Sequence, residues 1–139
     1  MYRKILIAND GSEGAGKALE AAIGLARRFK IELHMICVEE LPRLPASVDE
    51  VIEEKEEADH RFAAVVAGAR ARAKTHRVKL DVHIVAGHPV PTIVAFVKRQ
   101  RVDLLVIGYM GHSALYNRLI GSTTDRLVEL APCPVFVVK

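Results

Sequence analysis

Residues 102–124, which read VDLLVIGYMGHSALYNRLIGSTT, carry the clearest indication of the fold. The apolar run from Asp103 to Gly108 is typical of a central parallel strand that is buried on both faces. Glycines at 108, 111 and 121 then bracket a segment that ends in Ser-Thr-Thr, where an amphipathic helix is predicted over 122–130. A buried strand, a glycine-rich turn and a helix in this order are the repeating unit of an α/β fold.

The rest of the chain repeats this alternation of strands and helices. The predicted strands are 3–8, 31–38, 80–86, 103–108 and 135–138, and the predicted helices are 14–29, 48–76, 90–98 and 122–130. The alternation predicts right-handed crossovers and one doubly wound parallel sheet with helices on both faces. No internal repeat or low-complexity linker interrupts it, so we expect a single domain over residues 1–139.

Finer patterns predict burial and loops. Residues 39–47 contain two prolines and are predicted as a loop. Residues 80–86 alternate apolar and polar side chains, as in an edge strand with one wet face. Helical spacing predicts two buried faces, made by Ala18, Leu19, Ala22, Ile23, Ala26 and Phe29 in the first helix, and by Val48, Val51, Ile52, Ala58, Phe62, Val65, Val66, Ala69 and Ala73 in the second.

The charge balance argues against a nucleic-acid-binding protein. The 139 residues carry 20 Lys and Arg against 17 Asp and Glu, a net charge of +3, with three Tyr, four Phe and no Trp. We therefore expect neither a nucleic-acid partner nor a basic-aromatic binding surface. No apolar run approaches the length of a membrane span, and the apolar stretch at the N-terminus is too short for a signal peptide.

The cysteines and histidines suggest neither a disulfide framework nor a metal site. Cys37 and Cys133 are far apart in the chain, which predicts free thiols in a reducing compartment and a cytoplasmic protein. The six histidines, at positions 34, 60, 76, 83, 88 and 112, show no metal-ligand spacing and are predicted to be scattered over the surface.

Two glycine-rich turns are candidate phosphate-binding loops. Residues 11–18, GSEGAGKA, nearly match the P-loop pattern, but Ala18 lacks the hydroxyl that binds magnesium in a P-loop. We therefore predict that Lys17 is a solvent-facing helical residue. The second turn runs from Gly108 to Gly121 and is the stronger candidate, because glycines allow close approach to a ligand and the helix that follows offers free N–H groups to phosphate. Ser122 and Asp125 also fit a capping box, which is a purely structural alternative.

The spacing Gly108-x2-Gly111-x9-Gly121-Ser122 resembles the G-x2-G-x9-G-[S/T] motif of the ATP-binding universal stress proteins. The resemblance extends over nearly the whole chain. KILIANDGSEGAGKALEAA is similar to the first strand and Asp-Gly-Ser turn of the family, VAGHPVPTIV to the turn before its third helix, and LAPCPVFVVK to its last strand.

The resemblance implies a five-stranded parallel sheet of order 3-2-1-4-5, with the nucleotide bound between strands one and four. The implied adenosine-binding residues are Ala8, Asn9, Asp10 and Val38, and the implied phosphate-binding residues are Gly108, Gly111, His112, Gly121, Ser122 and Thr123. The implied ligand is ATP with Mg²⁺ or Mn²⁺ held mainly by phosphate oxygens and water. Structural alternatives remain open: an Asx turn for Asp10, core packing for Val38 and a solvent-facing position for His112.

The last strand is apolar throughout although the implied order places it at an edge. The resemblance implies a homodimer through Val135, Phe136, Val137 and Val138, paired antiparallel across a two-fold axis. The leading function is therefore a dimeric, ATP-binding stress-response sensor or switch with an unknown protein partner. Alternatives are a slow ATPase or phosphotransferase, for which no general base or carboxylate cluster is evident in the sequence, a nucleotide-independent interaction module and a flavodoxin-like redox protein.

Overall fold

The computed structural model describes residues 2–40, 47–110 and 120–139, without the side chains of residues 54, 55, 58, 59 and 61. Strands and helices alternate along the chain as the sequence predicts. They are β1 (Lys4–Ala8), α1 (Glu13–Phe29), β2 (Glu32–Glu40), α2 (Val48–Thr75), β3 (Leu80–Gly87), α3 (Pro89–Gln100), β4 (Leu104–Gly108), α4 (Ser122–Leu130) and β5 (Val135–Val138).

The five strands form one parallel sheet of order β3-β2-β1-β4-β5. The predicted fold class and strand order are therefore confirmed. The order reverses between β1 and β4, and both strands end at the same edge of the sheet. Ligands of open α/β sheets bind at such a switch point, beyond the carboxyl ends of the strands.

Each face of the sheet has its own apolar core. One face packs against α1 and α2, where Ile5, Ile7, Met35 and Val106 contribute fully buried side chains. The other face packs against α3 and α4, through residues that include Leu6 and Leu105. Burial on both faces is the reason that β1 and β4 read as nearly continuous apolar runs.

The predicted buried faces of the first two helices are wrong at their ends. Phe29 is 63% exposed because α1 ends there and Lys30 turns the chain away with a left-handed φ of 54°. Val48, Val51 and Ile52 are 75%, 43% and 48% exposed, so the first turns of α2 do not contribute to the core. Burial in α2 occurs further along, at Phe62, Ala69 and Ala73, while the side chain of Ala58 lies outside the described residues.

The predicted loop over 39–47 is also too long. Glu39 and Glu40 continue β2, because they remain paired with Ala86 and Gly87 of β3. Ser47 is the N-cap of the helix that follows, and its side chain accepts a hydrogen bond from the Glu50 amide in a capping box. Residues 41–46 lie outside the described residues.

None of the helices in the described part of the chain combines the length and the apolar character needed to cross a bilayer.

Candidate functional site at the carboxyl ends of β1 and β4

The turn after β1 is held by the side chain of Asn9. Asn9 is buried, its N–H donates to the Ile36 carbonyl at 2.9 Å, and its Oδ1 accepts the Gly11 amide at 2.9 Å. Gly11 has a φ of +82°, a conformation that is strained for any residue with a side chain. Asn9 therefore shapes the turn, and much of its hydrogen-bonding capacity is used within the protein.

Asp10 and Ser12 complete the turn and start α1. Asp10 is exposed, and its Oδ1 accepts the Ser12 amide at 3.0 Å in an Asx turn, the structural role proposed as the alternative. Ser12 is the N-cap of α1 and accepts the Ala15 amide at 3.1 Å. Because α1 is already helical from Glu13, the P-loop near-match forms no phosphate loop, and Lys17 is an exposed helical residue as predicted.

Two glycines allow the backbones of α1 and β4 to touch. A Cβ on Gly14 would lie 2.1 Å from the Met110 carbonyl oxygen, and a Cβ on Gly108 would lie 2.7 Å from the Gly14 carbonyl carbon. Both distances are shorter than real Cβ atoms tolerate, and the obstructing atoms are backbone. The start of α1 and the end of β4 therefore form one continuous surface that depends on these glycines.

The start of α4 is tied to the same strand end. The Gly121 amide donates to the Tyr109 carbonyl at 2.9 Å, and the hydroxyl of buried Thr124 donates to the Gly108 carbonyl at 2.6 Å. Gly121 is the N-cap, so the predicted capping box of Ser122 with Asp125 is wrong. Ser122 instead opens the first turn, where amide groups have no acceptor within the helix.

The structure brings three of the sequence motifs together at this edge: the turn around Asp10, the end of β4 at Gly108, and the exposed Ser122 and Thr123. Ala8 and Val38 are half-buried and pack on the α3–α4 core, consistent with the alternative proposed for Val38. Gly111 and His112 lie outside the described residues.

Among the described residues, Cys37 is the thiol beside this edge, and its surroundings make it unreactive. Cys37 is buried in β2, and burial together with the negative charge of Asp10 raises the pKa of its thiol to about 12. Cys37 is thus a small apolar core residue at neutral pH and not a nucleophile.

A second polar cluster, which we call the β2–β3 cluster, lies at the opposite edge of the sheet and consists of Glu32, His34, Asp81 and His83. His34 is buried, and its ring nitrogens lie 2.5 Å from Glu32 Oε1 and 2.9 Å from His83 Nε2. The prediction of scattered surface histidines is therefore wrong for His34. The pattern Glu-x-His in β2 and Asp-x-His in β3 was the available signal, but only the strand register shows that the two pairs adjoin.

The charges of this cluster depend on its hydrogen bonds. The bond from His34 is the main cause that lowers the pKa of the Glu32 carboxyl below its ordinary value. Desolvation lowers the pKa of the His83 imidazole, and the adjacent His34 lowers it further. The Glu32 carboxyl thus favours its ionised form and the His83 imidazole its neutral form.

Comparison with known proteins is consistent with this geometry. The profile of the Universal stress protein family matches residues 1–139. Universal stress protein MJ0531 of Methanocaldococcus jannaschii is 34% identical over 145 residues, which cover 100% of this chain and 83% of the relative.

Solved structures have the same fold. The universal stress protein UspA from Lactobacillus plantarum is 27% identical with a TM-score of 0.88, over 99% of this chain and 98% of that one. A universal stress protein solved in complex with cAMP is 24% identical with a TM-score of 0.77, over 99% and 97% of the two chains. By the match over its whole length and by the identity to its relatives, this chain belongs to the universal stress protein family.

Proposed function

We propose that this protein binds an adenine nucleotide, ATP with Mg²⁺ or Mn²⁺, at the carboxyl ends of β1 and β4. The observation that carries the proposal is the contact of Gly14 with Gly108, which joins the turn after β1, the end of β4 and the open start of α4 into one surface. This surface lies at the topological switch point and ends in a helix N-terminus, the two features that nucleotide phosphates select.

The adenosine half would lie against the turn after β1. Asp10 is exposed and offers a carboxylate to the ribose hydroxyls, while half-buried Ala8 and Val38 offer apolar contact to the base. Asn9 would line the pocket mainly by its position, because its N–H and side-chain carbonyl are engaged in the turn.

The phosphates would lie against the start of α4. Ser122 and Thr123 are exposed and offer both hydroxyls and first-turn amides, and Gly108, Gly111 and His112 are proposed to complete the site. The Gly121 amide already donates to Tyr109, so the contribution proposed for Gly121 is the absence of a side chain at the N-cap. Phosphate oxygens and water would hold the metal ion.

Two substitutions at position 122 distinguish the contribution of the Ser122 amide from that of its hydroxyl. Proline is favoured at the first position of a helix, and Gly121 has φ −61° and ψ 147°, the extended conformation that a residue before proline prefers. Ser122→Pro therefore removes both donors without opposing the helix, whereas the matched control Ser122→Ala removes only the hydroxyl.

We expect calorimetric titration with MgATP to show affinity lowered about tenfold or more in Ser122→Pro, because hydrogen bonds to a charged group are each worth about 1.5–3 kcal/mol. Ser122→Ala should lose less. Parallel titrations with AMP and cAMP identify which adenine nucleotide is preferred. Unchanged MgATP affinity in Ser122→Pro, with circular dichroism equal to that of the parent, would contradict the phosphate site.

We also propose a homodimer through β5. Pro134 O accepts the Leu105 amide and Val138 O accepts the Tyr109 amide, at 3.0 and 2.8 Å. Backbone groups alternate in direction along a strand, so those of residues 135 and 137 point away from β4, and in the described part of the chain β5 pairs with β4 alone. Phe136 is 45% exposed on this unpaired apolar strand.

The dimer proposal is tested at Val137. Val137→Pro removes an amide that points to the open edge while leaving the β4 ladder intact, and Val137→Ala is the control that keeps the amide. We expect light scattering to give a monomer for Val137→Pro and a dimer for Val137→Ala. A dimer of unchanged stability in both variants would place the interface elsewhere.

The nucleotide and the dimer together support a cytoplasmic sensor or switch in the stress response, formed by one domain over residues 1–139. Nucleotide occupancy would change the surface around the start of α4 that a protein partner contacts. The two free cysteines fit a reducing compartment. Retention of a partner from stressed cells by wild-type protein with MgATP, and its loss in Ser122→Pro, would be the expected result of an affinity purification.

A further inference from the structure

The β2–β3 cluster lies at the amino end of the sheet, away from the proposed nucleotide site. His34 and Asp81 are register partners on adjacent strands. Glu32 precedes His34 by two residues and His83 follows Asp81 by two, so all four side chains project from the same face of the sheet. Residues far apart in the sequence therefore meet because of the parallel register.

Three of these side chains present metal-ligating atoms to one another. One carboxylate oxygen each from Glu32 and Asp81 and one ring nitrogen of His34 all lie within 4.8 Å of one another. His34 Nε2 lies 2.5 Å from Glu32 Oε1 and 3.8 Å from Asp81 Oδ2. Ligands about 2.0–2.2 Å from a tetrahedral zinc ion lie about 3.3–3.6 Å from one another, so zinc requires the Glu32 oxygen to move about 1 Å away from His34 and the Asp81 oxygen to approach it slightly.

The fourth residue, His83, supports the site from behind. Its Nε2 lies 2.9 Å from His34 Nδ1, the ring nitrogen that faces away from the carboxylates. Its ring also packs against Phe96 of α3, with centroids 4.8 Å apart, which restrains its orientation. A ligating histidine commonly has such a partner on its other nitrogen, and the partner fixes the tautomer and the direction of the ring.

The cluster is accessible to ions from solvent. A cleft of about 770 Å³ along the β3 edge is lined by His34, Asp81 and His83. The side chain of His34 is only 9% exposed, while those of Glu32 and Asp81 are 54% and 35% exposed. A buried imidazole, one carboxylate at the cleft and the exposed carboxylate of Glu32 leave a fourth position for water.

We propose that Glu32, His34 and Asp81 form a zinc-binding site, with His83 as the positioning residue. Two carboxylates balance the charge of Zn²⁺, and the imidazole favours zinc over the hard cations Mg²⁺ and Ca²⁺. Arg70, Lys74 and Arg77 also line the cleft and the charge of Lys4 acts on Glu32, but among the described cations the one paired with a proposed ligand is Lys79, whose Nζ lies 3.8 Å from Asp81 Oδ1 and which is 87% exposed. A side chain this exposed gains little from the pair and is readily displaced.

Zinc binding would rearrange protons within the histidine pair. In the metal-free tautomer that fits these contacts, His34 Nε2–H donates to Glu32 and His34 Nδ1 accepts from His83 Nε2–H. When zinc takes His34 Nε2, the proton of His34 moves to Nδ1, which now donates to His83 Nε2, and His83 carries its own proton on Nδ1. The number of protons on the two rings is unchanged in this exchange, so the expected signature is a tautomer exchange.

The test uses the full chain, stripped with chelator and titrated with Zn²⁺ alone in competition with a chromogenic chelator. We expect one zinc per chain in the wild type and loss of this binding in the double variant Glu32→Gln/Asp81→Asn, which changes only partly exposed side chains. Glu20→Gln is the matched control, because Glu20 is 51% exposed and paired with Arg72 outside the cluster. It should bind zinc as the wild type does.

His83→Gln provides the test of positioning. Loss of a partner behind a metal ligand typically weakens metal affinity about 10–100-fold without abolishing binding. Two-dimensional ¹⁵N spectra of the histidine rings should show His34 and His83 exchanging tautomers when zinc is added. They should show no such change in the double variant.

Three results would overturn the proposal: no stoichiometric zinc binding by the wild type, equal binding by the wild type and the double variant, or an equal loss in Glu20→Gln. Equal binding in the double variant would assign the metal to other groups, such as the partly buried thiol of Cys133. The proposal is independent of the nucleotide site, since Ser122→Pro should leave zinc binding unchanged.

Discussion

Substitution of Gly14 by alanine should both destabilise the protein and weaken nucleotide binding at the proposed site. The added Cβ would lie 2.1 Å from the Met110 carbonyl oxygen, whereas real Cβ atoms essentially never lie closer than 3.0 Å to a neighbour. The start of α1 and the end of β4 must therefore separate by about 1 Å, and both are anchored in the core, so no flexible side chain can absorb the overlap.

The magnitude follows from the cost of overpacking. Extra methyl groups in well-packed regions cost about 1–3 kcal/mol, and a collision with backbone belongs at the upper end of that range. Gly14 lies in the first turn of α1, where the gain in helix propensity from alanine is small compared with this cost. We therefore expect the free energy of unfolding to fall by about 2–3 kcal/mol.

Gly24→Ala is the matched control within the same helix. A Cβ on Gly24 meets nothing within 4 Å, and the residue is exposed in the middle of α1. There alanine should stabilise the protein by about 0.5–1 kcal/mol through helix propensity. The same substitution is thus expected to lower the free energy of unfolding at position 14 and to raise it at position 24.

Urea unfolding followed by circular dichroism measures both variants, with the midpoint compared at constant slope. Titration with MgATP then shows whether Gly14→Ala loses affinity while Gly24→Ala keeps it. A Gly14→Ala protein as stable as the wild type would refute the argument that the close approach of α1 to β4 requires glycine.

Three further predictions concern single side chains. Thr124→Val should lower the free energy of unfolding, measured in urea, by about 1–2 kcal/mol, because the Gly108 carbonyl loses its hydroxyl donor. Thr124→Ser keeps the hydroxyl and should retain most of the wild-type stability. Asp103 accepts the amides of Arg3 and Lys4 at the start of β1, and these bonds lower the pKa of its carboxyl. Its contribution to stability is therefore present above about pH 4 and is lost as pH falls through its folded pKa. The stability difference between wild type and Asp103→Asn should therefore narrow below about pH 4 in acid unfolding, and a constant difference would contradict this. Cys37, with its thiol pKa near 12, should react with a thiol reagent only on unfolding, while half-buried Cys133 should react faster in the native protein, as a time course with mass spectrometry would show.

The sequence by itself was sufficient for the element order and the sheet. Apolar runs such as 103–108 mark strands buried on both faces, and the alternating run from Leu80 marks an edge. Right-handed crossovers then restrict the topology to few possibilities, and the resemblance to a family selects among them. The glycine motif also predicted a site at the carboxyl edge of the sheet, because parallel strands all end on the same side; that site stays a proposal.

Which side chains of these elements meet depends on the packing of the folded chain, which the sequence pattern does not contain. Val48 and Phe29 are exposed because they lie where each helix extends beyond the sheet. Helical periodicity does not indicate where that point lies. The contact of Gly14 with Gly108 depends on the distance between two backbone segments that are 94 residues apart in the chain. The presence of glycine at both positions does not by itself reveal this close approach. The β2–β3 cluster was missed for the same reason: the register of a parallel pair is set by packing along both strands, and a shift by one residue would turn His34 and Asp81 to opposite faces.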